Sequence, residues 1–144
     1  MIVVADASVL VAELIRTRGR ELAYESRLHI VVAEEQWNEA RHELDRRLRH
    51  VLERGHLTAE HASLIHQEIQ TLVDNNAIEV VPRHVYHHLE ATARRRIPRD
   101  PDDWPTVALA PALDAGILTG DNDFLGCGCP TWSFNTLRAG LDHR

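Results

Sequence analysis

Carboxylates recur in this chain at places where solubility does not require them. Asp6 ends the apolar run Ile2-Val3-Val4-Ala5, and Glu39 stands near the start of a long helical pattern. Asp100, Asp102 and Asp103 cluster in the stretch Arg99-Asp100-Pro101-Asp102-Asp103-Trp104-Pro105, and Asp121 and Asp123 follow the short apolar run Ile117-Leu118-Thr119. Each has a plain explanation when taken alone. Asp6 and Asp121-Asn122-Asp123 suit turns or helix caps, Glu39 a solvated helix face, and Asp103 a helix start. Gathered together without compensation, such groups would repel one another, and some would take up protons. A divalent cation removes that penalty. An all-oxygen set with no cysteine or histidine at matching spacing favours the hard ions Mg²⁺ or Mn²⁺ over zinc. An ion of this kind equips a site for phosphodiester hydrolysis.

For these side chains to meet, the chain must carry them to one edge of a fold. Apolar runs at residues 2–5, 28–32, 77–81 and 117–119 predict buried strands, and residues 131–134 predict an edge strand. Between them lie helical patterns. Ser8 is expected to cap a helix with Val9, Leu10, Ala12, Leu14 and Ile15 on its apolar stripe. Residues 17–20 read as a break and 21–27 as a further short helix. Trp37, Ala40, Leu44, Leu48, Val51 and Leu52 recur at helical spacing over about residues 33–54. Thr58 caps the next helix, residues 84–96 form another, and an apolar run from Val107 to Leu113 closes at Ala115-Gly116. Alternation of this kind predicts an α/β fold: a central parallel sheet of four to five strands with helices on both faces. If the first and fourth strands are central and parallel, Asp6 and Asp121 emerge at the same edge, where open α/β sheets bind ligands. Asp103 opens the helix that leads back to the fourth strand, and Glu39, two residues from Trp37, faces the cleft.

Composition narrows the alternatives. The chain of 144 residues reads as one domain over residues 1–144, with no repeat or linker. Its apolar runs are too short for a membrane span, and its start lacks a signal-peptide pattern, so a cytoplasmic protein is expected. A net charge of −6 argues against a general nucleic-acid coat. The chain has no lysine, which removes the P-loop lysine and any lysine nucleophile. Cys127 and Cys129, one residue apart, are expected to be free thiols. His84, His87 and His88 read as a polar helix face. Arg41, Arg46, Arg47 and Arg49 are expected to pair with Glu43, Asp45 and Glu53.

The segments Ile-Val-Val-Ala-Asp-Ala-Ser-Val-Leu-Val-Ala-Glu-Leu-Ile at the start, the glutamate in Glu-Glu-Gln-Trp-Asn-Glu-Ala-Arg-His-Glu-Leu, Arg-Asp-Pro-Asp-Asp-Trp-Pro-Thr-Val-Ala-Leu-Ala and Ile-Leu-Thr-Gly-Asp-Asn-Asp-Phe together resemble the PIN-domain family, which includes the VapC-type toxins of bacterial toxin–antitoxin pairs. The third segment is similar to that of stand-alone bacterial PIN proteins. The resemblance implies a Rossmann-like PIN domain acting as a Mg²⁺- or Mn²⁺-dependent ribonuclease. It places Asp6, Glu39, Asp103 and Asp121 at the catalytic positions, with Asp6, Asp103, Asp121 and Asp123 toward the metal and Ser8 and Thr119 in support. Asp100 is the second choice for the third position, with Asp102 beside it, and Glu35 is the second choice for Glu39. Arg94, Arg95, Arg96 and Arg99 are candidates for RNA phosphates, a role to be weighed against a solvated helix end. Expected partners are RNA, an antitoxin protein and a second copy of the chain. Apolar residues at 9–15 and on the helices of residues 33–75 are candidates for such a contact. Two competing readings are a PIN-like module that binds RNA, a nucleotide or a protein without cutting, and a phosphoacceptor or phosphatase domain built on Asp6. The missing lysine disfavours the second.

Overall fold

Strands buried on both faces read as continuous apolar runs, and four of the expected strands are of this kind. The computed structural model describes residues 1–120 and 124–143. It contains the strands β1 (Ile2–Ala5), β2 (His29–Ala33), β3 (Ile78–Val81), β4 (Gly116–Leu118) and β5 (Thr131–Trp132). They form one sheet in the order β3-β2-β1-β4-β5 with every pairing parallel. β1 is central: Val4 lies opposite Val31 of β2 and Ile117 of β4. The chain order reverses between β1 and β4, the position at which open α/β sheets place a crevice.

Seven helices cover the sheet in the described residues: α1 (Ala7–Leu14), α2 (Thr17–Ala23), α3 (Glu34–Glu53), α4 (Ala59–Asp74), α5 (Glu90–Arg96), α6 (Trp104–Ala112) and α7 (Phe134–Asp142). Successive strand residues face opposite ways. Val3, Ala5, Ile30, Val32 and Leu118 therefore pack with α1 to α4 and α7. Val4, Val31, Ala33 and Ile117 pack with α5, α6 and Tyr86 on the other face. No described helix is long and apolar enough to cross a membrane.

Several local expectations are corrected. Asp6, not Ser8, caps α1, because its carboxylate accepts the Val9 amide. Residues 17–20 lie inside α2 rather than breaking the chain. Residues 84–96 are not one helix: 3-10 turns at Arg83–Val85 and His87–Leu89 precede α5. The full burial of Tyr86 between those turns sets their shape. α6 stops at Ala112, earlier than Ala115-Gly116, with Asp114 in the left-handed region (φ 51°) turning the chain toward β4. Of the apolar residues at 9–15 expected on a contact surface, Val9, Leu10, Val11 and Leu14 are buried in the core of this chain.

Candidate active site

The carboxyl ends of β1 and β4 carry Asp6 and Thr119 side by side. Thr119 Oγ1 donates to Asp6 Oδ2 at 2.6 Å, and Ser8 Oγ donates to the same oxygen at 3.0 Å. Asp6 Oδ1 accepts the Val9 amide at 2.8 Å, capping α1. Asp6 is 2% exposed, so both of its oxygens are fixed at the N-terminus of α1, where the helix dipole favours negative charge. The hydroxyls of Ser8 and Thr119 thus meet on one Asp6 oxygen.

α3 is fastened to the same corner by a residue that pattern reading missed. Gln36, 2% exposed, accepts the Ala7 amide through Oε1 at 2.9 Å. Its one signal in the sequence is an uncharged amide beside the core residue Trp37 in the first turn of a charged helix. One turn further along, Glu39 presents its carboxyl toward the notch. Partial burial raises its pKa, and the charges of Asp100, Asp6, Asp102 and Glu43 add to the rise. Glu35, by contrast, pairs with Arg83 at 2.8 Å.

The third side of the notch is the 3-10 turn Pro101–Asp103 leading into α6. Asp103 occupies the N-cap position of α6, yet its side chain makes no capping bond. Its carboxyl is pushed up to about 7, chiefly by burial, then by the charge of Asp100 and a hydrogen bond between the two side chains, then by Asp6 and Glu39. Four carboxylates from three segments of the chain therefore act on one another: Asp6, Glu39, Asp100 and Asp103. One turn along α6, the buried Thr106 hydroxyl has no hydrogen-bond partner among the described residues.

The nearby cations are turned to other work. Arg94 donates to Glu90 at 3.0 Å and to Pro101 O and Asp102 Oδ1 at 3.3 Å, which ties down the turn carrying Asp103. The guanidiniums of Arg83 and Arg94 lie 5.7 and 5.8 Å from the Trp104 ring. Arg95, Arg96 and Arg99 are exposed. Hard oxygen donors with mutual repulsion and no basic side chain among them fit a divalent cation by charge and ligand type. Among the described residues, no three acidic, histidine or cysteine side chains close into a coordination set. The expected ligands Asp121 and Asp123 lie outside the described residues.

Of the expected helix pairs, Arg46 and Arg47 bond Glu43, whereas Arg41 donates to Asn38, Asp45 pairs with His66, and neither Arg49 nor Glu53 makes an ion pair among the described residues. His87 Nδ1 lies 3.2 Å from the His84 carbonyl oxygen. Both cysteines are free.

A family model described as the PIN domain matches residues 4–142. Among solved structures, the chain is similar to that reported as the crystal structure of PAE2754 from Pyrobaculum aerophilum. The TM-score is 0.64 at 13% sequence identity, covering 100% of this chain and 97% of that one. No curated protein matches the sequence.

Proposed function

The chain belongs to the PIN-domain family, whose members are generally nucleases, and on that premise we propose that it is a metal-dependent ribonuclease that hydrolyses RNA phosphodiester bonds at the carboxyl edge of β1 and β4. The observation that carries this reading is the gathering of carboxylates at one corner: Asp6, fixed by Ser8, Thr119 and the Val9 amide, stands near enough to Glu39 and Asp103 that their charges act on one another. A cluster so short of positive charge in its own side chains is suited to Mg²⁺ or Mn²⁺.

In this reading Asp6 and Asp103, with Asp121 and Asp123, would hold the ion, which when bound would supply a Lewis acid for the phosphate and the attacking water. Ser8 and Thr119 keep the Asp6 oxygens in register. Glu39, its carboxyl held above the usual range, orients the water and takes its proton at a carboxylate oxygen. The bond from the water oxygen to phosphorus forms in line as the bond to the leaving ribose oxygen breaks, and that oxygen takes a proton from solvent to leave as a hydroxyl. Asp100, by its charge and its side-chain hydrogen bond, holds a proton on Asp103.

The test is cleavage of single-stranded RNA in Mg²⁺ or Mn²⁺. Asp6→Asn and Asp103→Asn should each lower the rate more than about 100-fold, in the range set by loss of a group acting in the transition state. Full activity in both variants, or a wild type inert with either ion, would remove the proposal. The finer biological role proposed is that of a toxin in a toxin–antitoxin pair. Expression should then arrest growth, and the product of an adjacent gene should relieve that arrest by binding the chain.

A further inference from the structure

Beside the acidic notch lies a groove of about 660 Å³ between α1 and the start of α7. Its lining includes Ser8, Ala12, Arg18, Gly120, Phe134 and Asn135. It begins where the notch ends: the Ser8 hydroxyl donates to Asp6, and Gly120 follows Thr119, whose hydroxyl does the same. In the nuclease reading, a strand with its phosphate at the ion beside Asp6 would bring a neighbouring nucleotide to this opening.

The chemistry of the groove selects which part of a nucleotide it takes. Glu13 neutralises Arg18 through two bonds, from Nε at 3.0 Å and Nη2 at 2.8 Å. At the start of α7, Ser133 Oγ already accepts the Thr136 amide, and Thr136 Oγ1 accepts the Ser133 amide. The cation and these two amides are already engaged. What the groove offers is a flat surface. The Arg18 guanidinium lies 4.3 Å from the centre of the Phe134 ring, its orientation fixed by Glu13, with 45% of the Arg18 side chain exposed. Guanidinium planes and aromatic rings stack unpaired bases. Asn135 is exposed and makes no side-chain hydrogen bond among the described residues, so its amide offers a donor and an acceptor together.

We propose that this groove is a subsite for one unpaired nucleobase of the RNA strand, next to the phosphate held at the acidic notch. The subsite rests on the nuclease reading for what becomes of the strand, while its occupancy is read by binding alone. A base inside a duplex is stacked and paired, so the subsite takes single-stranded RNA.

The experiment is an abasic scan. Fluorescein-labelled single-stranded RNA decamers, intact or with one base removed at each position in turn, are bound to the full chain in Mg²⁺ on ice, before product accumulates, and followed by anisotropy. In the wild type, loss of the base at one position should weaken binding about tenfold, the size of one base–aromatic stack, while losses elsewhere do little. That position-specific loss should shrink in Asn135→Ala, which keeps the stacking surface, and shrink further in Arg18→Ala combined with Glu13→Gln so that no bare carboxylate faces the RNA. These side chains lie outside the core, and unchanged melting together with an unchanged Mn²⁺-induced melting shift verifies the fold and the notch. Uniform tolerance of base removal, or the same loss in wild type and variants, would overturn the subsite. Cleavage is measured in parallel. An abasic pattern without cleavage keeps the subsite and removes the nuclease reading, whereas cleavage without the pattern removes the subsite alone.

Discussion

Asp6 performs two tasks that pattern reading weighs against each other. A residue after a strand that caps a helix needs no further purpose, and Asp6 does cap α1 through Oδ1. Its Oδ2 is held at the same time by Ser8 and Thr119. The two tasks separate by substitution. Asparagine caps a helix about as well as aspartate. Asp6→Asn should therefore keep its melting temperature within about 2 °C of wild type, on a scale of roughly 3 °C per kcal/mol for a chain of this size, while cleavage is abolished. Asp6→Ala loses the cap and leaves buried donors without an acceptor, together about 2–3 kcal/mol, so it should melt roughly 6–9 °C lower. Scanning calorimetry of the pair checks this, and equal melting of the two variants would contradict the capping role. Asp103 is the converse case, a residue at a cap position whose side chain makes no capping bond. Asp100 is the first of the neighbours that raise its pKa. In metal-free protein, Asp100→Asn should therefore bring the Asp103 titration down from about 7, as read by carboxyl carbon NMR. An unmoved titration would mean that the two side chains do not share the notch.

At the level of elements, the distance between Asp6 and Glu39 is set by the fastening of α3 to α1. Gln36 makes that connection by accepting the Ala7 amide, one of the amides that no intrahelical carbonyl serves. Gln36→Ala leaves this buried donor unmatched at about 1–3 kcal/mol, so melting should fall by roughly 3–9 °C. Cleavage should drop further than Gln36→Glu, which keeps an acceptor oxygen in place; similar kinetics in the two would count against a positioning role. Gly19 fixes the neighbouring corner: a Cβ there would fall 1.9 Å from the Glu13 carbonyl oxygen. In a sequence, a glycine required by such close approach looks the same as one that ends a helix, which is why residues 17–20 read as a break. Where burial on both faces writes an uninterrupted apolar run, the pattern is sufficient. β1 falls on the expected residues, and β2, β3 and β4 differ by a residue or two at their ends. The 3-10 turns around Tyr86 leave no such periodicity, because a single buried ring rather than an apolar stripe anchors them. Strand ends and helix starts pointed to Asp6, Glu39 and Asp103 at one edge, with Asp100 only as the alternative to Asp103, while Asp121 lies outside the described residues. The Gln36 fastening was not legible, since one buried amide carries no period.

Across the whole molecule, the notch couples folding to pH and, in the proposed function, to cations. Asp103 has an ordinary pKa of 3.8 and a folded value of about 7. Between these two the folded chain holds a proton that the unfolded chain has released, so stability falls as pH rises through this window and levels off above about 7. The upward shift of Glu39 acts in the same sense. Glu25, lowered to about 2 by Arg27, titrates below this window and is fully exposed, so it does not mask the trend. In EDTA, the melting temperature should therefore decline from about pH 5 to about pH 7.5, and Asp103→Asn should flatten that decline and melt higher than wild type at the upper end. A divalent ion reverses the order of the two proteins. It binds the ionised cluster, displaces the retained protons, and so gains affinity as pH rises. At about 100 times its dissociation constant the ion adds about 2.7 kcal/mol, worth roughly 8 °C. Wild type in saturating Mn²⁺ should then lose the acid-side advantage altogether, while Asp103→Asn responds weakly to the ion. In the proposed function the same ion would also serve RNA binding, because a chain of net charge −6 otherwise meets a polyanion with like charge. A flat EDTA profile in the wild type, or an equal Mn²⁺ shift in Asp103→Asn, would mean that the carboxylates do not act as one electrostatic unit.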